Sequence, residues 1–279
     1  MDVKAIVLDI DGTLLNDEKK MTDQTKETLI TAQQNGIKVI LASGRPTPGM
    51  LKYVEDLKMD QYNGMIVSYN GAHVLDVSSQ KELFSQPLSI ESSKSILEHL
   101  KQFDVKPMIA KDGYMYVNNV FDGMLDLGSS DGLFNIIEYE SRGGNFQLCE
   151  KADLAAFVDF PLHKILVAAQ PEYLQEHWQN ILAPFENSVS GMFSAPMYFE
   201  FTDQGIDKAN ALEQTLKPLG IHPEHIISFG DGHNDLSLIN YAGMGIAMGN
   251  AVTELKNAAN KITASNNEEG IAKALAELL

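Results

Sequence analysis

Two aspartates one residue apart, followed by a flexible turn, open the chemistry of this chain: Asp9-Ile10-Asp11-Gly12-Thr13, directly after the apolar run Ala5-Ile6-Val7-Leu8. Side chains alternate along a strand, so Asp9 and Asp11 start on the same side, and a Gly12 turn lets both border one small volume. Carboxylates so placed repel, and they require a cation, a shared proton, or both. By itself the string also fits a plain strand end with an Asx-type turn, or the metal-holding pair of a nucleotide-sugar glycosyltransferase.

Three more segments narrow that choice. Ser43-Gly44-Arg45-Pro46 closes a second apolar run and precedes a helix, with Pro46 expected in its first turn. The Ser43 hydroxyl and Gly44 amide can therefore face an anion at a positive helix end, although Ser43 also suits a simple N-cap. Arg45 can touch the same anion or extend over the surface. Lys208, after Gly205-Ile206-Asp207, falls in the first turn of a helix and opposes its dipole by roughly 0.3–1 kcal/mol. Such a lysine is either solvated or facing a negative partner, an aspartate cluster or a phosphate. Gly230-Asp231-Gly232-His233-Asn234-Asp235 is a third acidic strand edge, with Asp235 placed to cap the next helix. Oxygen ligands from Asp9, Asp11 and Asp231 suit magnesium; His233 reads as an exposed neutral side chain and is left out.

These parts answer one electrostatic problem, the attack of an aspartate on a phosphate dianion. Like charges repel there by several kcal/mol at partly shielded distances, on the order of 332/(ε·r). Magnesium and Lys208 cancel the repulsion. Asp9 can then act as nucleophile and form an aspartyl-phosphate, while Asp11 protonates the leaving oxygen and later takes a proton from water. Ser43, the Gly44 amide, Lys208 and Asn234 would hold the equatorial oxygens.

The elements that must position these groups follow from periodicity. Thr22 N-caps a helix that stops at Asn35-Gly36. Apolar strands run from Ile37 to Ala42 and from Met65 to Ser68, and Asn70-Gly71 turns the chain into Ala72 to Leu75. From about Leu83 to Pro196 strands and helices alternate in a pattern suited to an α+β module with a largely antiparallel sheet. A strand from Met197 to Thr202 then returns to β-helix-β order, with strands His225 to Phe229 and Met244 to Met248 and a last helix ending at Leu278. The expectation is an α/β fold: a Rossmann-like doubly wound parallel sheet from residues 1–82 and 197–279, with residues 83–196 inserted as a second domain.

Composition restricts function further. With 279 residues and 44% hydrophobic content, the chain can build two cores. A formal net charge of -17 and the lack of a basic, aromatic-laced stripe argue against nucleic acid. A single cysteine, Cys149, permits no internal disulfide and no cysteine zinc site. No apolar run has membrane-spanning length and no signal-peptide core precedes the first strand, so a cytoplasmic protein is expected, with no membrane partner.

Asp9-x-Asp11-Gly12-Thr13, Ser43-Gly44-Arg45, Lys208 and Gly230-Asp231-x-x-Asn234-Asp235 resemble the four ordered motifs of the haloacid-dehalogenase superfamily. Similarity to its Cof-type hydrolases with a type IIB cap extends over nearly the whole chain, including Ser68-x-Asn70-Gly71-Ala72, Ala247-Met248-Gly249-Asn250-Ala251 and Glu269-Gly270-Ile271-Ala272. Gly232 departs from the polar residue that many relatives carry there. The resemblance implies a magnesium-dependent phosphatase with a cap between the second and third motifs. It implies metal binding by Asp9, Asp11, Asp231 and Asp235, and substrate binding by Gly44, Arg45, Asn70 and Asn234. The expected reaction is hydrolysis of a small phosphomonoester, a phosphorylated sugar or similar metabolite, in a pocket closed by the cap. A phosphomutase and a non-catalytic receiver-like module are the alternatives; oligomeric state is not assigned.

Overall fold

The computed structural model describes residues 2–128 and 132–279. The chain forms two compact units, one from Met1–Ser85 with Asp207–Leu279 and one from Gln86–Ile206.

The first unit is built on an eight-stranded sheet. Its strands lie in the order Lys261–Ile262, Met244–Ala247, Ile226–Gly230, Ala5–Leu8, Lys38–Ala42, Met65–Ser68, His73–Asp76 and Lys81–Ser85. The first six run parallel, and the last two are antiparallel additions at one edge. Ala5–Leu8 is fully buried. Ile6 and Leu8 enter one apolar cluster while Ala5 and Val7 enter another, which explains why the strand is a continuous apolar run rather than an alternating one. Helices Asp23–Gln34 and Gly270–Leu278 cover the first face through Leu29, Ala32, Ile271 and Leu275, and Lys208–Leu216 covers the second through Ala211, Leu212 and Leu216. Thr22 caps the first of these helices, as expected, by accepting from the Thr25 amide.

Because Ala5–Leu8 pairs with Lys38–Ala42 on one side and with Ile226–Gly230 on the other, the chain order reverses around it. That reversal opens the crevice where doubly wound sheets bind ligands. Asp9, Ser43 and Asp231 each directly follow a parallel strand, so all three emerge at the same sheet edge.

In the second unit a six-stranded sheet has the order Gln147–Glu150, Tyr114–Val117, Lys106–Lys111, Ile165–Ala168, Tyr198–Asp203, Val189–Ala195, and all pairings but the first are antiparallel. Helices Ile90–Leu100 and Pro171–Leu182 pack on it through Ile96, Leu97, Leu174 and Ile181.

The boundaries expected at 83 and 197 are displaced to 86 and 207. Lys81–Ser85 still pairs with His73–Asp76 in the first sheet. The strand expected to return at Met197 instead pairs on both sides within the second sheet, because Phe199 and Phe201 bury their rings in that unit's core. Pro46 is also corrected: it precedes a 3-10 turn, Thr47–Met50, in extended conformation, and the α-helix starts only at Leu51.

Tyr69, Asn70 and Gly71 form a tight turn with three successive positive φ angles, the last +109°. A Cβ at Gly71 would stand 2.3 Å from the Asp207 carbonyl oxygen, which is backbone and cannot swing aside. Gly71→Ala is therefore expected to cost about 1–3 kcal/mol through strain and displacement of the Asp207 turn. A urea midpoint equal to that of the parent protein would refute this account.

Candidate active site

Asp9 follows the central strand and is held there by its amide, which donates to the Phe229 carbonyl at 3.1 Å. The residue is 5% exposed. Lys208, the first residue of its helix and fully buried, reaches it: Nζ donates to Asp9 Oδ1 at 2.7 Å and to Asp235 Oδ1 at 2.6 Å. Asp207 N-caps the same helix by accepting from the Asn210 amide at 2.9 Å, so the lysine tolerates the unfavourable helix end because two carboxylates face it.

Asp235 is fully buried and links this pair to the third acidic loop. Its Oδ2 accepts from the amides of Asp231 and Gly232, both at 3.0 Å. Asp231 is then oriented by Thr13, whose hydroxyl donates to Oδ1 at 2.9 Å. Gly12 permits this approach: its φ is +79°, and a Cβ there would stand 2.3 Å from Asp231 Oδ2.

Asp9, Asp231 and Asp235 each offer an oxygen within 4.8 Å of the others, a set able to hold a metal ion. Asp11 stands outside that set. Its carboxylate takes the Arg45 fork, Nε to Oδ2 at 2.6 Å and the second guanidinium nitrogen to Oδ1 at 2.8 Å, with Lys19 at 3.2 Å. The Asp11 carboxylate therefore faces the Arg45 guanidinium rather than Asp9, Asp231 and Asp235.

Charges on the two groups of carboxylates shift in opposite directions. Burial and the neighbouring Asp235 raise the Asp9 pKa to about 8 against the pull of Lys208. Burial, opposed by the Thr13 hydrogen bond and reinforced by Asp235, raises Asp231 to about 6. Lys208 is held above its ordinary value: burial opposes its charge, but Asp235 and Asp9 outweigh it. For Asp11 burial likewise raises the value, yet the Arg45 hydrogen bonds and charge, with Lys19, leave it lower than usual. Two buried carboxylates on one ammonium, with half-buried Asp231 beside them, leave excess negative charge, the condition a divalent cation with oxygen ligands relieves.

The remaining expected residues assemble around the loop after Lys38–Ala42. Ser43 is buried, and its hydroxyl accepts from the Arg45 amide at 3.2 Å rather than starting a helix. Its carbonyl accepts from the Asn70 amide at 2.9 Å, and the Arg45 carbonyl accepts from Tyr69 at 3.0 Å, which stitches the two turns together. Gly44 lies against the Asn70 side chain, where a Cβ would come within 3.0 Å of Nδ2. Asn234 donates to Asn70 Oδ1 at 3.2 Å. His233 is exposed and pairs with Glu254 at 3.1 Å.

Sequence reading assigned no role to Asn250 and Asn266. Asn250 Nδ2 donates to the Gly12 carbonyl at 2.8 Å and its Oδ1 accepts from the Asn266 amide, while Asn266 Nδ2 donates to the Leu15 carbonyl at 2.9 Å. They clamp the loop that carries Asp9 and Asp11. The signal was a Gly249-Asn250 pair just beyond another parallel strand end.

A doubly wound sheet with aspartates at its central strand ends is the setting shared by a known class of hydrolases. Residues 6–275 match the haloacid dehalogenase-like hydrolase family, and the chain belongs to it. It is 30% identical over 276 residues to "Putative phosphatase YxeH" of Bacillus subtilis (strain 168), covering 99% of this chain and 98% of that protein. A haloacid dehalogenase-like hydrolase from Bacteroides thetaiotaomicron has the same fold, with a TM-score of 0.90 and 32% identity over 99% of this chain and 100% of that one. The HAD subclass IIB sugar phosphatase BT4131 shares the fold at a TM-score of 0.80 and 22% identity, over 99% of each chain.

Protons and a divalent cation held by this cluster would compete for the same oxygens. Carboxyls raised to about 6 and about 8 hold more protons folded than unfolded above the ordinary 3.8, so the metal-free fold loses stability as pH rises through that window. Cation binding displaces those protons. Calorimetric titration of the metal-free protein with magnesium is expected to show affinity climbing from about pH 5 to about pH 8, with proton release. A pH-independent affinity would contradict it.

Proposed function

We propose that the chain hydrolyses small phosphomonoesters through an aspartyl-phosphate on Asp9. The observation that carries this reading is the buried Asp9–Lys208–Asp235 arrangement beside Asp231 at the crevice edge of the central strand. Lys208 takes Oδ1 of Asp9, which leaves the other carboxylate oxygen to attack phosphorus. As that bond forms, the ester P–O bond breaks and the leaving oxygen takes a proton from Asp11. Water then attacks the aspartyl-phosphate, Asp11 accepts its proton, and inorganic phosphate departs with Asp9 restored.

Arg45 links binding to this proton transfer. It holds Asp11 ionised in the free protein, and a phosphate dianion competes for the same guanidinium fork. Drawing Arg45 away removes the strongest attraction on the Asp11 carboxylate and lets it carry the proton that the leaving group needs. Ser43, the Gly44 amide and Asn234 are assigned to the phosphoryl oxygens, with Asn70 positioning Asn234 through its amide oxygen.

Asp9, Asp231 and Asp235 would hold magnesium, whose charge allows an anionic carboxylate to approach an anionic phosphate. The Gln86–Ile206 unit is assigned the selection of substrate, as a cap. Support for a phosphatase comes from the family match and from the name of the Bacillus subtilis relative; the name of BT4131 directs attention to sugar phosphates.

With p-nitrophenyl phosphate and magnesium, Asp9→Asn is expected to reduce turnover to background while circular dichroism shows an intact fold. Asp11→Asn should lower kcat by about 10²–10⁴-fold, the scale of a lost general acid. Near-full activity of Asp9→Asn would reject the nucleophile.

A further inference from the structure

Arg45 and Lys19 do not hold the Asp11 carboxylate in the same way. Arg45 covers both oxygens, Nε donating to Oδ2 at 2.6 Å and the second guanidinium nitrogen to Oδ1 at 2.8 Å, whereas Lys19 Nζ donates to Oδ1 at 3.2 Å. Among the described residues, Arg45 Nε is the one hydrogen-bond donor to Oδ2. A guanidinium that turns to a phosphate dianion therefore releases Oδ2, while Oδ1 keeps an ammonium. The two oxygens become unlike atoms, one able to carry a proton and one still accepting a hydrogen bond.

The backbone around Lys19 is built to bring that ammonium in. Lys19 has a left-handed conformation, φ +59°, which glycine or asparagine adopts at lower cost. It closes a tight turn in which the Asn16 amide donates to the Lys20 carbonyl at 3.0 Å, the Lys19 amide to the Asn16 carbonyl at 2.9 Å and the Lys20 amide to Asn16 Oδ1 at 3.0 Å. Asp17 ties the same turn to a distant loop. Its amide donates to Asn267 Oδ1 at 3.0 Å, and its carboxylate accepts from Asn267 Nδ2 at 2.8 Å and Asn266 Nδ2 at 3.2 Å. Lys20 takes the other direction and pairs with Glu18, both largely exposed. The turn thus aims Lys19 alone at a carboxylate eight positions back. More than half of the Lys19 side chain is exposed, and an ion pair of that kind contributes little to stability. Strain kept for so weak a stabilising contact points to a role in the chemistry.

We propose that Lys19 positions the general acid: it holds Oδ1 of Asp11 while Arg45 is engaged by the phosphoryl group, so that Oδ2 carries the proton and faces the leaving oxygen. This role rests on the phosphatase reading above. As the ester P–O bond breaks, the proton on Oδ2 passes to the leaving oxygen, and the negative charge left on the carboxylate is met at Oδ1 by Lys19. Water that attacks the aspartyl-phosphate then returns a proton to Oδ2.

The need for that proton rises as the leaving group becomes a weaker acid. The test measures kcat/KM, which covers the steps up to departure of the leaving group, for the full-length protein with magnesium on 2,4-dinitrophenyl, p-nitrophenyl and phenyl phosphate, whose phenols are progressively weaker acids. Lys19→Gln is expected to lower kcat/KM for phenyl phosphate about tenfold more than for 2,4-dinitrophenyl phosphate, so that the plot against leaving-group acidity steepens. Lys19→Gly relieves the left-handed strain. It should melt no lower than the parent protein and steepen the plot in the same way.

Plots parallel to that of the parent in both variants, whether activity is unchanged or falls equally on all three esters, would overturn the positioning role and leave the phosphatase reading standing. Absence of magnesium-dependent hydrolysis of all three esters by the parent protein would remove that reading and the role of Lys19 with it.

Discussion

A fully buried ammonium held between two carboxylates is the interaction on which this protein depends. Lys208 has no access to water, so its charge is tolerable only while Asp9 and Asp235 remain in contact. Removing one partner of such a group typically costs about 3–5 kcal/mol. The three residues come from three distant parts of the chain, and their pairing holds the central strand edge, the helix at 208–216 and the loop at 230–235 in one arrangement. Stability and the proposed chemistry are coupled here, because the group that neutralises Asp9 also ties the first unit together.

The fold supplies the remaining constraint. Parallel strands end at a common edge, and reversal of chain order at Ala5–Leu8 opens a crevice beside Asp9. Backbone amides of Asp231 and Gly232 fix Asp235, and Thr13 fixes Asp231, so each carboxylate near the lysine has its orientation set by a neighbour. Gly12 and Gly71 are required because other parts of the chain occupy the space a Cβ would fill. The excess negative charge left inside this frame is what makes a divalent cation a natural occupant.

Asp11 belongs to a different electrostatic neighbourhood although only one residue separates it from Asp9. Arg45 draws it out of the carboxylate cluster and keeps it ionised. The division suits a pair of carboxylates with unlike duties, one raised by burial and like charge, the other lowered by a cation that a phosphate can claim.

Much of this was legible from residue types and spacing. The apolar runs marked the buried parallel strands, Thr22 marked a helix start, and the acidic or hydroxyl-bearing residues just past strand ends marked Asp9, Ser43 and Asp231, because local periodicity and capping act over a few residues. Tertiary structure decided what depends on distant partners. Whether Tyr198–Asp203 joins the first sheet or the second was settled by where Phe199 and Phe201 find a core, and the pairing of Asp11 with Arg45 by attraction between charges 34 positions apart. The Asn250–Asn266 clamp and, among the described residues, the unpartnered Oε2 of Glu200 and hydroxyl of Thr202 were hidden for the same reason: a polar side chain's partner, or its lack of one, exists only after the chain has folded around it.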